Sequence, residues 1–418
     1  MKILIFGHVS HTGFGVVTEN LATRFLAAGH DPRIIAVNHR GEPLLGPLEG
    51  RVWPALIEGD SHGGNISQDA IAGTLWQRYG HPEWKPDIVL VIADMSGLAA
   101  HVGRKGVTGP WLETPVFHYC PIEGDNLPAN WGRVWSMFQP VAMAKFGAEV
   151  IERHVGHPVP MIYHGVDTET FRPPAFNNPL RWEGTRFMTK ESCRTPFGLS
   201  QDRRYVLRTD RLVERKFYHV FISTMVEVMR ARDDVDAIIH CRPVDPPLDL
   251  TAEIERLPED LRGRFILSGL HDTFRGLPTE GLVALYNAAD LLFSPTGGEG
   301  FGLTLAESLA CETPVVTTAW AAEKEVVARG GVLVPPLTDN RGEPVRYHSQ
   351  YGMDWAIPDG PAFVEPILDL LAHPARRKAL GKEGRAHVVR SFSWDTAAAE
   401  FLTLFEESHG AAADRLAG

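Results

Sequence analysis

The residues from Leu291 to Glu307 combine side chains and spacing that could do chemistry. Leu291-Leu292-Phe293-Ser294 is an apolar run and predicts a buried strand. Gly297, Gly298, Gly300 and Gly302 follow as a loop with little side-chain bulk, and Leu305, Ala306, Leu309 and Ala310 predict the apolar face of a helix. In a strand–glycine loop–helix unit, the backbone N–H groups at the helix start can hold an anion. Glu299 stands in the loop and Glu307 in the first turns of the helix. Carboxylates this close to an anion site would repel the anion if they faced it. They are suited to accept hydrogen bonds from hydroxyls, such as those of a sugar or ribose.

The chain that must position these groups has 418 residues, more than one core usually serves, so two domains are expected. Its 44% hydrophobic and 22% charged residues are ordinary globular composition. No apolar run reaches the length of a membrane span, and Met1 to Gly7 runs straight into a strand pattern rather than a signal peptide. Cys120, Cys193, Cys241 and Cys311 are scattered without metal-ligand spacing, which reads as free thiols in a cytoplasmic protein. A net charge of −11 opposes broad binding to nucleic acid or anionic membrane.

Strands alternate with helices along the whole chain, an α/β pattern. Lys2–Phe6 and Asp31–Val37 are expected strands around a helix from Val16 to Ala28, with Gly13 and Gly15 in the loop before it. Further strands are expected at 87–93, 115–120, 140–144 and 159–163, with helices at 67–78 and 146–154. A second alternation places strands at 205–209, 235–240, 264–268, 291–294, 314–317 and 332–335, then helices at 359–371, 375–390 and 396–407. A dinucleotide fingerprint is excluded: Gly15 is followed by Val16, Val17 and Thr18, and Asn38 stands where an acidic residue should end the second strand. Asp234-Val235-Asp236 is discounted as a metal motif, since it falls at a helix-to-strand junction where acidic turns are common. Glu299 and Glu307, on one loop and helix, are badly placed to flank a sugar ring as a glycosidase pair.

The run from Glu299 to Val316 resembles the E-x7-E signature of retaining nucleotide-sugar glycosyltransferases of the GT-B fold. More narrowly, it resembles glycosyltransferase family 4, which includes sucrose synthases and bacterial mannosyl- and glucosyltransferases. Glu299 and Glu307 supply the two glutamates, flanked by Gly300-Phe301-Gly302 and by Cys311-Glu312-Thr313-Pro314-Val315-Val316. Gly165-Val166-Asp167 with Phe171 and Pro173 resembles the family's hinge, and Phe392-Ser393-Trp394-Asp395 its ending. The resemblance implies two doubly wound Rossmann-like domains facing a central cleft. Residues 1–170 would form an acceptor domain, on which helix 396–418 packs back, and residues 171–395 a donor domain.

It also implies site roles. Arg211 and Lys216 match the R-x-x-x-x-K that binds the donor diphosphate, Glu299 the contact to the donor sugar, and Glu307 the acceptor of ribose hydroxyls. The backbone of Gly300, Phe301, Gly302, Leu303 and Thr304 would meet the donor, Gly13 and Gly15 match the N-terminal glycine loop, and His118 matches a histidine that contacts the donor sugar. Tyr119-Cys120 departs from the His-Asp of relatives, and Ala319-Trp320-Ala321-Ala322-Glu323 replaces a Gly-Gly-x-x-Glu turn, so one wall of the donor pocket differs. The implied reaction retains configuration, needs no metal or cofactor, and moves a hexose-type sugar from a nucleoside diphosphate sugar. A UDP-sugar is expected ahead of a GDP-sugar.

The acceptor is less legible. The loop after His118 offers Glu123 and Asp125 to hydroxyls, which suits a glycan, glycolipid or small molecule. A second reading is a hydroxymethylated base in DNA, because Arg186, Lys190 and Arg194 would share a helical face, followed by Arg203, Arg204 and Arg208. A third is a non-catalytic nucleotide-sugar binding protein of the same fold.

Overall fold

The structure is a computed structural model that describes residues 1–9, 12–37, 39, 46–54, 84–95, 114–268 and 277–417. The expected helix at 67–78 lies outside the described residues. Two compact units form, each around its own core. One contains Met1–Gly165, Gln350–Met353 and Ser393–Gly418; the other contains Val166–Ser349 and Asp354–Phe392.

In the first unit a six-stranded parallel sheet has the order β3-β2-β1-β4-β5-β6. The strands are β1 (Lys2–His8), β2 (Asp31–Val37), β3 (Val52–Pro54), β4 (Ile88–Ile92), β5 (Val116–Cys120) and β6 (Gln139–Ala142). A parallel sheet is covered on both faces, which is why β4 and β5 are buried at every position. Helix α1 (Gly13–Ala27) begins three residues before the expected start. Thr12 caps it, its hydroxyl accepting from the Gly15 N–H at 3.2 Å. Gly13 and Gly15 therefore lie in the first helical turn rather than in a loop. Helix α2 (Lys145–Val155) ends at Gly156 in the left-handed conformation. Residues 159–163 make only a single bridge from Met161 to Ala142, because Pro158 and Pro160 have no N–H to give a ladder.

The C-terminal helix, Trp394–Ala417, belongs to this unit and packs on α1. Phe401 and Phe405 are fully buried. Their rings lie 6.5 and 5.8 Å from Phe25, and 4.9 and 5.0 Å from Tyr119 and Phe117 respectively. Arg24 pairs with Asp395 at 2.6 Å at the start of the contact.

The second unit repeats the plan. Its parallel sheet contains β7 (Arg204–Thr209), β8 (Val235–His240), β9 (Phe265–Leu267), β10 (Leu291–Ser294), β11 (Val315–Thr318) and β12 (Gly331–Val334), in the order β9-β8-β7-β10-β11-β12. Both sheets thus reverse direction of growth between their first and fourth strands, at β1/β4 and at β7/β10. Crevices beyond the strand ends at such points are where ligands bind in open α/β sheets. Helices α3 (Tyr218–Ala231), α4 (Thr279–Ala288), α5 (Leu303–Ala310) and α6 (Glu323–Val327) follow β7, β9, β10 and β11 respectively. Among the described residues, three antiparallel hairpins, at 180–187, 244–249 and 346–356, were not foreseen from the sequence. Among the described residues, no helix is long and apolar enough to cross a membrane.

Substituting Phe401 with Ala removes a ring buried against three aromatic partners. It is expected to destabilise the first unit by about 3–5 kcal/mol, read by chemical denaturation; a change below about 1 kcal/mol would place this helix elsewhere.

Candidate functional site

The residues after β7 and β10 meet at the carboxyl ends of those two central strands. Ser294 ends β10, and the chain turns through Thr296, Gly297 and Gly298 to Glu299. Gly297 lies where a Cβ would come within 2.7 Å of the Phe217 ring and 2.9 Å of the Ala356 carbonyl. Its N–H donates to the Arg215 carbonyl at 2.9 Å, and its own carbonyl accepts from Ala356 at 3.0 Å. Gly302, at φ +97°, turns the chain into α5, a conformation that favours glycine. The side chains of Leu303 and Thr304 are half-buried, and as the first residues of α5 their N–H groups have no acceptor within the helix.

Glu299 is 6% exposed. Its carboxylate receives Lys216 Nζ at 2.5 Å and Arg215 Nη1 at 3.1 Å. Arg215 also donates to the Gly298 carbonyl at 2.6 Å. Lys216 bonds in addition to Asp210, whose other oxygen lies 3.2 Å from Arg208 Nε and accepts from Ser294 Oγ at 3.3 Å. Arg208 is fully buried, its guanidinium against the Tyr218 ring and donating to the Lys216 carbonyl at 2.6 Å. Among the described contacts, the cluster holds Arg208, Arg215 and Lys216 against Asp210 and Glu299, three cations to two carboxylates. Burial alone would raise the Glu299 pKa, but Lys216 and Arg215 reverse that and hold it below the ordinary carboxylate range.

Glu307 lies in a different environment. It is 9% exposed, and its hydrogen-bonding neighbour is the Tyr286 hydroxyl, donating at 2.9 Å. Burial pushes its pKa up to about 7, only partly offset by that bond. One glutamate is thus ionised throughout and the other titrates near neutrality, because one has cations beside it and the other does not.

Of the residues expected to act, Lys216 and Glu299 are brought into direct contact. Gly300, Phe301 and Gly302 are buried in the same loop. Arg211 is exposed; the arginine on Glu299 is Arg215, adjacent to Lys216. Motif spacing gave Arg215, Arg208 and Asp210 no part in the site. His118, Gly13 and Gly15 belong to the first unit. His118 is not at a strand end but inside β5 and wholly buried; its Nε2 bonds to the Ala93 carbonyl at 3.0 Å, and its Nδ1 accepts from Trp135 at 3.3 Å. Burial lowers its pKa to about 4, so the ring is neutral and its two nitrogens are engaged in the core.

Of the six cations that suggested a basic face, Lys190, Arg194, Arg203 and Arg208 are bonded within their own unit, while Arg186 is exposed. Residues 186–194 are not a helix but a hairpin strand and a 3-10 segment. Lys190 donates to the Glu312 carbonyl at 3.0 Å and Thr313 Oγ1 at 2.7 Å. Arg194 pairs with Asp290 at 2.9 Å and Arg203 with Asp236 at 2.6 Å. Asp234 pairs with Arg232 at 2.7 Å, so both carboxylates of the Asp-x-Asp letters serve ion pairs. The four cysteines are buried free thiols.

Removing one partner from a buried charge network is strongly destabilising. Lys216→Met leaves Asp210 with Arg208 alone and Glu299 with Arg215 alone, removes the cation that links them, and is expected to lower stability by about 3–5 kcal/mol. Arg211→Met, at an exposed position, is expected to change it by no more than about 0.5 kcal/mol. Denaturation of both variants distinguishes the two cations, and equal effects would remove Lys216 from the network.

Residues 203–341 match the family described as glycosyl transferases group 1. A lipopolysaccharide core biosynthesis mannosyltransferase from Rhizobium meliloti (strain 1021) is 26% identical over 60% of this chain. The match spans 61% of that relative's length, so the chain aligns with about three fifths of it. A D-inositol 3-phosphate glycosyltransferase from Segniliparus rotundus is 26% identical over 80% of this chain and 69% of its own. Among solved structures, sucrose-phosphate synthase from Thermosynechococcus elongatus superposes with a TM-score of 0.72 at 18% identity, covering 98% of this chain and 100% of that one. Lipopolysaccharide glycosyltransferase WaaG gives 0.62 at 13% identity, over 94% and 97%. Residues 203–341 are accordingly a glycosyl transferases group 1 domain, in a chain with the GT-B fold.

Proposed function

We propose that the protein is a retaining glycosyltransferase, working without a metal, that moves a hexose-type sugar from a nucleoside diphosphate sugar to a hydroxyl acceptor. The observation that carries this reading is the buried cluster of three cations and two carboxylates beside the start of α5. A cation-rich cluster of this kind suits an anionic ligand, and the N–H groups of the helix start add to that preference. A nucleoside diphosphate sugar supplies the anion and the hydroxyls together. Relatives named for mannosyl transfer in lipopolysaccharide core and for D-inositol 3-phosphate support a hexose donor and a glycan or small-molecule acceptor. A UDP-sugar is tried first and a GDP-sugar second. The DNA reading is weakened, since Lys190, Arg194, Arg203 and Arg208, four of the six cations that raised it, are bonded within their own unit.

In the proposed reaction an acceptor hydroxyl oxygen forms the new bond to the anomeric carbon as the bond from that carbon to the diphosphate oxygen breaks. The departing phosphate, on the same face, takes the hydroxyl proton. Charge grows on the diphosphate, and Lys216 and Arg215 are placed to offset it. Glu299 then exchanges part of its pairing with them for a sugar hydroxyl. Glu307 accepts from the ribose.

Two outcomes are expected. Glu299→Gln and Lys216→Ala each lower transfer by at least ~10²-fold, while EDTA leaves it unchanged; wild-type rates in both variants, or metal-dependent rescue, would refute the assignment. Nucleoside diphosphate binding should strengthen as pH rises through about 7, where Glu307 ionises and becomes an acceptor only. In Glu307→Gln that pH dependence should vanish from a calorimetric titration; if it persists, the titrating group is another residue.

A further inference from the structure

One carboxyl group beside the cluster has no part in the proposed reaction. Glu323 opens α6, its side chain is fully buried, and neither carboxylate oxygen makes a hydrogen bond of normal geometry. A buried carboxyl without such bonds is costly, and an apolar residue would fill the same space at no such cost. Its surroundings show what it is placed against. The N–H of the preceding residue, Ala322, points at the Glu299 carbonyl at 3.4 Å. The Glu323 carboxyl faces the backbone N–H of Glu299 and its own N–H, and the charges acting on it are the Glu299 carboxylate and the Arg215 guanidinium. Lys324, next on its helix, is exposed; from the helix 374–391, His387 bonds to the Glu325 carbonyl at 2.9 Å.

We propose that Glu323 is the positioning residue for Glu299. Together with Ala322 it holds the backbone of residue 299 at both its N–H and its carbonyl, and so sets where the Glu299 carboxylate stands among Lys216, Arg215 and a bound sugar hydroxyl. The proposal rests on the assignment of Glu299 to the donor sugar. Burial, and then the nearby Glu299 charge, push the Glu323 pKa well above the ordinary carboxylate range. A protonated carboxyl there faces the Glu299 amide without adding a second negative charge beside Glu299. Ionising it would turn that support into repulsion.

The test uses the full-length protein with Glu323→Gln, which is neutral and keeps a carbonyl acceptor, and Glu323→Leu, which is apolar. Glu323→Gln should hold kcat within ~3-fold of wild type, while Glu323→Leu should lower kcat at least ~10-fold with donor KM within ~3-fold, because misplacing a contact group reduces turnover more than diphosphate affinity. Wild-type kcat in Glu323→Leu overturns the proposal. Should that variant not fold, the pH profile decides. The wild-type rate should decline on the alkaline side and Glu323→Gln should not; identical alkaline limbs also overturn it.

A readout without turnover separates this from failure of the functional reading. The native state keeps a proton that the unfolded chain releases near the ordinary carboxylate pKa, so wild-type stability falls with rising pH relative to Glu323→Gln. The thermal-midpoint advantage of Glu323→Gln should grow as pH rises above the ordinary carboxylate range, and should grow less in a Glu299→Gln background. If no nucleotide sugar is turned over by the wild type, the functional reading fails, and this cycle still measures the coupling. A cycle without coupling overturns the positioning role.

Discussion

The second unit is arranged around a lysine held between two carboxylates. Lys216 reaches Asp210 on one side and Glu299 on the other, and Arg208 and Arg215 add two further buried cations. Charges removed from water are tolerated only when they are paired and hydrogen-bonded, so the loops carrying them have little freedom. This constraint explains the backbone around them. Gly297 admits the Phe217 ring and the Ala356 carbonyl, the Arg215 carbonyl is tied to Gly297, and the hairpin at 346–356 closes over the same loop through Ala356.

The same loop and helix hold two glutamates whose proton affinities are driven apart. Glu299, beside two cations, stays ionised; Glu307, beside a tyrosine hydroxyl, ionises only near neutral pH. Two identical side chains can therefore perform different tasks within one short segment, the difference coming from their neighbours. Glu323 is a third case, its proton affinity raised by burial and by the neighbouring Glu299 charge.

The first unit uses its polar groups differently. His118 is surrounded by core and bonded at each ring nitrogen, and Tyr119 donates to the Ile162 carbonyl and meets His164 Nδ1, both at 2.7 Å. The C-terminal helix supplies Phe401 and Phe405 to the same core. These groups hold the unit together, and a histidine at a strand position is not by itself a reactive one.

Much of the fold was legible from residue order. Fully covered parallel strands are continuous apolar runs, and those at 31–37, 235–240 and 291–294 match their expected limits. The glycine loop between β10 and α5, with Glu299 in it, follows from residue types and spacing, whereas Lys216 was singled out only by the family resemblance. Only the tertiary structure decided which charges meet. Arg215, not Arg211, reaches Glu299, because a short 3-10 turn at 214–216 directs adjacent residues inward while Arg211 stays in solvent. Likewise Lys190, Arg194 and Arg203 are matched to carbonyls and carboxylates distant in sequence, and Glu323 stands beside Glu299 through the pairing of β11 with β10. Local pattern determines the elements because burial is periodic along a strand or helix. Ion pairs and pKa shifts depend on distances across the fold, which no periodicity encodes.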